Sequence, residues 1–246
     1  MEEVYFSKSW WQFLLMAVVC YLIGCINFAL LISKSRKKDI TKIGSGNPGT
    51  MNMSREFGWK IGVLTFFCDA LKGGIPALIT FFLYRDKVFA GTDMIVSDFT
   101  RYFCGLWVII GHIYPVTMKF KGGKGIASTL GLFWINIGAD GDVFHGWFLL
   151  VGFGLLLGLV VFIYLTEWGA MGSLVGVAAF SVWQSILFYI RYGAGVNPYL
   201  VCLFLSILLI NLLTWWAHRK NIMRLFSGEE RHTSIKKLVK KKTKKE

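Results

Sequence analysis

The sequence predicts an all-α protein, a polytopic membrane bundle of about seven transmembrane helices. The chain has 246 residues, of which 55% are hydrophobic and 17% charged, and its mean hydropathy is +0.55. Ordinary soluble domains are less apolar and more charged than this. Several apolar runs approach or exceed the roughly 20 residues that cross a bilayer as a helix. The runs do not alternate apolar and polar residues, which excludes the strands of a membrane barrel.

Seven apolar runs are predicted to span the membrane, and the fourth of them is short. In chain order they are Trp10–Ile32, Gly58–Tyr84, Arg101–Met118, Ile126–Gly138, Trp147–Thr166, Trp168–Ile190 and Pro198–Trp216. The first run begins without a basic leader or a cleavage site, so we expect a retained helix. All five cysteines lie in apolar runs without a C-x-x-C pair, and we expect them to be buried, unpaired thiols.

The distribution of positive charge predicts the orientation of the bundle. With seven spans, the loops 33–57 and 119–125 and the chain from Ala217 onward lie on one side and carry twenty Lys and Arg residues. The other side carries four. Because basic loops stay in the cytoplasm, we expect the N-terminus outside and the C-terminus inside. The sequence indicates no function for the two longer outer loops, 86–99 and 136–145.

The first polar stretch on the basic side, Gly44–Arg55, reads GSGNPGTMNMSR. Three glycines and a proline within residues 44–49 exclude a helix there. A loop of this kind presents backbone N–H groups, with Ser45 and Asn52 as neutral donors, and such a concave arrangement favours oxyanions. Arg55 adds a planar fork suited to phosphate or carboxylate. An ordinary cytoplasmic turn is the competing interpretation.

Two charged residues lie inside the second predicted span. Asp69 and Lys72 are three positions apart, so they share a helix face and can pair. Charges in lipid are costly and usually face the interior of a bundle. Either the two residues form an ion pair only, or one of them lines the same polar cavity as the loops.

The second polar stretch, Gly111–Gly125, reads GHIYPVTMKFKGGKG. Alternating lysines and glycines let ammonium groups and backbone amides converge on a phosphate. The spacing is not that of a nucleotide-binding P-loop, so nucleotide hydrolysis is unsupported. His112 lies at a helix end, where a purely structural role is the competing interpretation. Ser128 and Thr129 are candidate caps of the next helix.

The third polar stretch, His218–Glu230, reads HRKNIMRLFSGEE. On a helix, His218 and Asn221 share one face and can hold a phosphate or a carbonyl oxygen. Gly228 is expected to end that helix, so that Glu230 reaches back to an arginine or caps the turn. Four histidines without a carboxylate cluster predict no metal site. A serine–histidine pair requires Ser45 or Ser173 to meet His218 in space.

Residues 1–230 are predicted to form the membrane domain, and residues 231–246 a basic cytoplasmic tail. The tail ends KKLVKKKTKKE and is expected to be disordered and solvated. Attraction to anionic lipids of the cytoplasmic leaflet is its candidate function. Nucleic acid is not expected as a partner, because nothing aromatic interleaves the lysines.

The motifs GSGNPGTMN…R, D-x-x-K-G, GHxxPVxxKFKGGKG and HRxNIxRLxxGxE resemble those of bacterial acyl-phosphate:glycerol-3-phosphate acyltransferases of the inner membrane. The resemblance covers the chain from about Tyr21 to Glu230. It implies a seven-helix enzyme without a cofactor. The implied reaction moves an acyl group from acyl phosphate to the 1-hydroxyl of sn-glycerol 3-phosphate. The products are lysophosphatidic acid and phosphate, in the first step of phospholipid synthesis.

Residues and resemblance together predict the site. The predicted catalytic residues are Ser45, Arg55, His218 and Asn221. The predicted phosphate-binding residues are Asn52, Lys72, His112, Lys121, Gly122, Gly123, Lys124, Gly125 and Ser173. Glu230 is predicted to be structural. The chain departs from the family at TEWGAMGS, where Ser173 is the candidate, and at Gly24–Asn27, where the usual proline is absent and no proline kink is predicted.

Three mechanisms and two other functions are open at this point. The phosphate of the donor can accept the hydroxyl proton, which the resemblance favours; His218 can act as general base; or Ser45 can carry the acyl group. A transporter of phosphate esters also surrounds an anion with helix ends and cations. Polar sites gathered at one face favour an interfacial enzyme over a transporter. A membrane scaffold leaves the lysines and glycines unexplained.

Overall fold

The computed structural model describes residues 1–140, 143–193 and 197–230, and it is mostly helical. The α-helices are α1 Phe6–Cys25, α2 Phe28–Ser35, α3 Thr50–Phe57, α4 Trp59–Tyr84, α5 Val96–Ile113, α6 Ile126–Gly138, α7 Phe148–Thr166, α8 Gly169–Tyr192, α9 Pro198–Ala217 and α10 Arg219–Phe226. Two 3-10 turns cover Ile40–Lys42 and Val116–Met118. The predicted tail lies outside the described residues.

Within the described residues, five helical segments are long and apolar enough to cross a membrane. They are Phe6–Ser35, which joins α1 and α2, and the single helices α4, α7, α8 and α9. Helix α6 is apolar but has only 13 residues, as the short fourth run predicted. Five of the predicted spans agree with α4, α6, α7, α8 and α9 to within two residues at either end.

The protein is mostly helical, as predicted, but it also contains two small sheets that the all-α prediction did not include. Strands β1 (Glu2–Val4) and β2 (Lys87–Phe89) pair in parallel. Strands β3 (Ala139–Asp140) and β4 (Val143–Phe144) pair antiparallel. Both pairs fall in segments that link or precede helices, where backbone groups without a helical partner must find one elsewhere.

The first predicted span, Trp10–Ile32, is not one continuous helix. It breaks between α1 and α2, where the side chain of Asn27 accepts a 2.8 Å hydrogen bond from the N–H of Leu30 and so caps α2. The kink therefore forms without the proline, because an asparagine at this position caps the new helix. The break leaves carbonyl groups of residues 24–26 open to partners from other elements.

Helix α5 is the central helix, packed against α1, α4, α6 and α9. It begins at Val96 and ends at Ile113, five residues before the predicted span at each end, because Pro115 cannot continue a helix. The α5 end nearer the sheets contains Asp98 and Arg101, both buried and paired with each other. Tyr192 donates to Asp98 over 2.6 Å, which ties α8 to this end.

Helices α4 and α6 approach each other closely through small residues, as is common between membrane helices. A Cβ atom on Gly73 would lie 2.0 Å from the carbonyl oxygen of Ser128, and one on Gly131 would lie 2.0 Å from that of Ala70. This packing places Lys72 of α4 beside the start of α6. The expectation of buried cysteines holds for Cys20, Cys25 and Cys104, whereas Cys68 is half-buried and Cys202 is exposed on α9.

Candidate active site

The loop between α5 and α6 folds back onto the end of α5. Lys119 and Phe120 adopt left-handed conformations, with φ of 52° and 60°, and reverse the chain. The N–H of Gly122 then donates to the carbonyl of Ile113 and that of Gly123 to the carbonyl of His112, both over 3.0 Å. The sequence prediction required these two amides to be open to phosphate. In this structure they cap α5 instead.

Gly123 is required by its contact with His112. A Cβ atom at position 123 would lie 2.2 Å from Nε2 of His112. His112 itself is buried, and its Nδ1 lies 3.9 Å from Asp69 and has no hydrogen-bond partner among the residues that the structure describes. The histidine therefore serves as the packing surface on which the loop turns towards Lys124.

The same loop is fastened to the broken end of the first span. The hydroxyl of Tyr21 donates to the carbonyl of Tyr114 over 3.0 Å and accepts from the N–H of Val116 over 3.1 Å. The hydroxyl of Thr117 donates to the carbonyl of Cys25 over 3.3 Å. Neither Tyr21 nor Thr117 was a candidate in the sequence, because their partners are over 90 residues away.

Lys72 completes the capping of the first span. Its Nζ lies 2.6 Å from the carbonyl oxygen of Ile26, 3.4 Å from that of Gly24 and 2.9 Å from Asp69. The predicted Asp69–Lys72 ion pair is confirmed. The ammonium group contacts these three partners. Lys72 therefore has a structural role in this structure, beside the phosphate-binding role that the sequence predicted.

Lys124 lies at the centre of the candidate site. It follows the fold-back and directly precedes Gly125, which has a φ of 82° and starts α6. Its ammonium group donates to the side-chain oxygen of Asn221 on α10. Burial lowers the pKa of Lys124 to about 8, with nearby Glu230 opposing the shift and Arg224 and Arg55 adding to it.

Two arginines from distant parts of the chain therefore act on one lysine. Arg55 lies on α3, directly after the first polar stretch, and Arg224 lies on α10. Both cations disfavour the ammonium form of Lys124, which places them within electrostatic range of it. A cluster of this kind, with three cations and one carboxylate, is suited to an anionic ligand.

His218 is buried and is oriented by the helix that precedes it. Its Nδ1 lies 2.8 Å from the carbonyl oxygen of Thr214. Because a carbonyl oxygen only accepts, Nδ1 carries the proton and Nε2 is the acceptor nitrogen. Burial, together with the nearby charge of Lys124, lowers the pKa of His218 to about 4, against the opposing effects of Thr214 and Glu230. The imidazole is therefore neutral at pH 7.

Asn221, Arg224 and Glu230 form a connected wall beside His218. The Nδ2 of Asn221 donates to Oε1 of Glu230 over 2.7 Å, and Nε of Arg224 lies 2.9 Å from Oε2. Gly228, with a φ of 72°, lets the chain turn back after α10. The expectation that Glu230 reaches back to an arginine is confirmed, and its partner is Arg224.

The first polar stretch is held together by Asn52. Its side-chain oxygen accepts from the N–H of Ser45 over 3.0 Å. Its Nδ2 donates to the carbonyls of Ile40 and Ile43 over 3.2 and 2.9 Å. Asn52 is buried and shapes the loop, while the hydroxyl of Ser45 is on its exposed side. Residues 44–49 are not helical, as expected, but α3 follows them within the segment that was predicted as a loop.

The other predicted residues take separate positions. Lys121 is exposed on the loop, and the hydroxyl of Ser173 donates to the carbonyl of Gly169 within α8. Ser128 and Thr129 do not cap α6, because the helix begins earlier, at Ile126. Their buried hydroxyls have no hydrogen-bond partner within the described part of the chain. Neither Ser45 nor Ser173 hydrogen-bonds to His218 among the described residues, so the condition that the sequence set for a serine–histidine pair is not met in this structure.

The structure thus gathers Arg55, Lys124, His218 and Asn221 from three separate polar stretches. Thr214 and Arg224 were not named as site residues from the sequence. Thr214 precedes His218 by four positions and Arg224 follows Asn221 by three, so helical spacing was the available signal for both. Among the described residues, no group of three His, Cys, Asp or Glu side chains is arranged to hold a metal ion.

Comparison with known proteins identifies the family that the chain resembles. The family model of glycerol-3-phosphate acyltransferases matches residues 14–228. A glycerol-3-phosphate acyltransferase of Aquifex aeolicus is 38% identical over 88% of this chain and 97% of its own length. One of Mycoplasmopsis pulmonis is 34% identical over 86% of this chain and 88% of its own.

Two solved structures share the fold. They are crystal structures of PlsY (YgiH), an integral membrane glycerol 3-phosphate acyltransferase, in a glycerol 3-phosphate form and a lysophosphatidic acid form. Their TM-scores are 0.68 and 0.67, with 29% identity over 93% of this chain and 98% of theirs. With these matches over almost its whole length, the chain belongs to the glycerol-3-phosphate acyltransferase family of integral membrane proteins.

Proposed function

We propose that the protein transfers an acyl group from acyl phosphate to the 1-hydroxyl of sn-glycerol 3-phosphate. The products are lysophosphatidic acid and inorganic phosphate. The observation that carries the proposal is the side-chain network that joins Lys124, through Asn221 and Glu230, to Arg224. It lies at one end of a membrane bundle, and buried His218 precedes its helix. The glycerol 3-phosphate form of a 29% identical structure supports the choice of acceptor.

The reaction brings two anions together, so the site must first offset their repulsion. Lys124, Arg55 and Arg224 supply positive charge within range of one point. Such cations position both phosphates and stabilise charge as the carbonyl becomes tetrahedral. Asn221 and Glu230 hold Lys124 and Arg224 in place before substrate arrives. Preorganised charges of this kind cost no reorganisation during the reaction.

The proton of the acceptor hydroxyl passes to the phosphate of the donor in our proposal. Acyl phosphate is an activated mixed anhydride, and phosphate is a good leaving group. His218, with a pKa of about 4, is a weak base at neutral pH. Its acceptor nitrogen can instead orient the hydroxyl group. Ser45 is exposed and has no histidine partner among the described residues, so the structure offers no base to activate it for covalent catalysis.

The proposed active site faces the cytoplasm of a bacterial inner membrane. The basic loops and the chain from Ala217 favour that side. The acceptor is then drawn from the cytosol and the acyl chain from the lipid phase. Lys121, exposed on the loop, is proposed to meet a substrate phosphate at the entrance. In the same orientation, the basic tail 231–246 lies on the cytoplasmic side, where we propose that it is attracted to anionic lipid.

The direct test adds acyl phosphate and glycerol 3-phosphate to the purified protein in detergent. We expect stoichiometric release of phosphate and lysophosphatidic acid, and none when acyl-CoA or acyl carrier protein replaces acyl phosphate. The variant Lys124→Ala should lose activity, whereas Lys60→Ala, an exposed lysine on α4, should retain it. No release by wild-type protein, beside an active control enzyme, would instead favour a transporter or a scaffold.

A further inference from the structure

The short helix α10 has two faces with different environments. Its inner face contains buried Asn221 and half-buried Arg224, which belong to the candidate site. Its outer face carries Met223 and Phe226, which are 70% and 90% exposed. Arg219 and Lys220, also exposed, lie on the outer side at helical spacing from Met223. The outer face therefore combines two apolar side chains with two cations.

The position of α10 places this outer face beside the lipid-facing surface of the bundle. Helix α9 ends one residue before α10, and its last turn exposes Trp215 and Trp216. Tryptophans at this position mark the boundary between hydrocarbon and headgroups. The guanidinium of Arg219 lies 4.9 Å from the ring of Trp216 and donates to its carbonyl over 3.0 Å. The first cation of α10 therefore lies at the level of the headgroups.

From this arrangement we propose that the outer face of α10 docks onto the anionic headgroups of the surrounding leaflet. Met223 and Phe226 enter the boundary between headgroups and acyl chains, and Arg219 and Lys220 pair with lipid phosphates. Apolar residues bordered by cations are typical of helices that lie in a membrane interface. The outer face of α10 continues the lipid-facing surface of the exposed tryptophans of α9, and it is positively charged. Both observations favour an anionic bilayer over a second copy of the chain as its partner.

Docking of this kind would also stabilise the site. An eight-residue helix is marginal in water, so α10 depends on what it packs against. Its inner face supplies Asn221 to Lys124 and Arg224 to Glu230. Anionic lipid on the outer face therefore restrains the wall that holds Lys124. This consequence for catalysis rests on the proposed function, whereas the docking itself does not.

The test compares full-length protein in nanodiscs of zwitterionic lipid alone and with anionic phosphatidylglycerol added. Hydrogen exchange of the amides of α10 measures docking without reference to activity. We expect about thirtyfold slower exchange with anionic lipid, as two cations near an anionic surface predict. Phosphate release from acyl phosphate and glycerol 3-phosphate, measured in the same discs, should rise with the anionic fraction.

Two variants remove the proposed contacts without touching the site. R219Q/K220Q removes the charges, and M223Q/F226Q removes the apolar anchors; both should abolish the lipid dependence of exchange. The control R36Q/K38Q removes two exposed cations from the chain after α2 and should leave the dependence intact. Normal exchange elsewhere in the bundle confirms that each variant is folded.

Exchange that is the same in both lipids for wild-type protein would overturn the proposal. Protection that depends on protein concentration, and not on lipid charge, would also overturn it and identify a second copy as the occupant. Loss of lipid dependence in R36Q/K38Q as well would show a general charge effect and would contradict a specific role of α10. If no disc supports activity while exchange still follows lipid charge, docking stands and the proposed function fails.

Discussion

The ammonium group of Lys72 lies 2.6 Å from the carbonyl oxygen of Ile26, 46 residues away in the sequence. It caps the place where the first membrane span breaks, and the same group pairs with Asp69 over 2.9 Å. A buried charge with several partners is tolerated because its desolvation is offset. The contact joins α4 to the end of α1, on which the loop before Lys124 is anchored.

Replacing Lys72 by methionine should lower stability more than replacing both members of the ion pair. K72M leaves the carboxylate of Asp69 buried and unpaired, which costs about 3 kcal/mol or more. In the double variant D69N/K72M this uncompensated charge is absent, so part of the loss should be recovered. Thermal unfolding in detergent measures both variants and D69N alone as a double-mutant cycle.

Steady-state kinetics of the same variants separates capping from phosphate binding by Lys72. If Lys72 has only a structural role, the KM for glycerol 3-phosphate should follow stability across K72M, D69N and D69N/K72M. A KM that stays raised at least tenfold in the stabilised double variant would contradict capping alone. It would support the role predicted from the sequence.

The charge of Lys124 should control the alkaline side of the pH–rate profile. Its pKa of about 8 means that the ammonium form is lost as the pH rises through 8, so kcat/KM should fall there. K124R should remove this decline, because arginine keeps its charge. The profile measured by phosphate release from pH 6 to 10 tests this. A decline that persists unchanged in K124R would assign it to another group.

Neutralising Glu230 should move the same decline to lower pH. Glu230 raises the pKa of Lys124, so E230Q should lower it further. Glutamine can still accept from Asn221, which limits structural loss. The control E229Q removes an exposed neighbouring charge and should leave the profile as in wild type. Equal shifts in the two variants would contradict a specific effect of Glu230.

Replacing His218 by glutamine should reduce the rate less than the loss of a general base would. A base contributes about 10²- to 10⁴-fold, whereas a neutral hydrogen-bonding replacement of a positioning group should cost roughly tenfold. Since His218 has a pKa of about 4, its protonation does not shape the profile at neutral pH. We expect H218Q to keep the wild-type profile between pH 5 and 8. A loss above a thousandfold with a changed acid limb would instead establish base catalysis.

Adding one methyl group at position 123 should displace the loop that carries Lys124. The Cβ of alanine would lie 2.2 Å from the imidazole of His112, which is itself fully buried and cannot move away. We expect G123A to lose at least tenfold in kcat/KM. The control G154A, on exposed α7 with nothing within 4 Å of the added atom, should retain activity. Comparable losses in both variants would argue against the role of this contact.

A trapping experiment addresses Ser45. Under single-turnover conditions with radioactive acyl phosphate, we expect no label on the protein. S45A should reduce the rate modestly, because the hydroxyl interacts with its own loop at the N–H of Asn47. Label that accumulates on wild type and not on S45A would establish an acyl-enzyme. N47A, on the same loop, is the matched control.

The sequence by itself determined the membrane helices, the three basic polar stretches and the pairing of Asp69 with Lys72. Each of these depends on neighbours within a few turns of helix or on summed hydropathy, both of which are local. The boundaries of α4, α6, α7, α8 and α9 were therefore predictable. The break after α1 was missed because Asn27 replaces the expected proline and caps α2 instead.

Only the tertiary structure decided which of the predicted groups point into one site. The amides of Gly122 and Gly123 bind the end of α5, and Asn52 binds its own loop, so neither matches its predicted role in this structure. Lys124 meets Asn221 across 97 residues, and no local pattern specifies such a pair. Contacts between distant segments depend on how whole helices pack, and that packing selects Lys124 as the central cation.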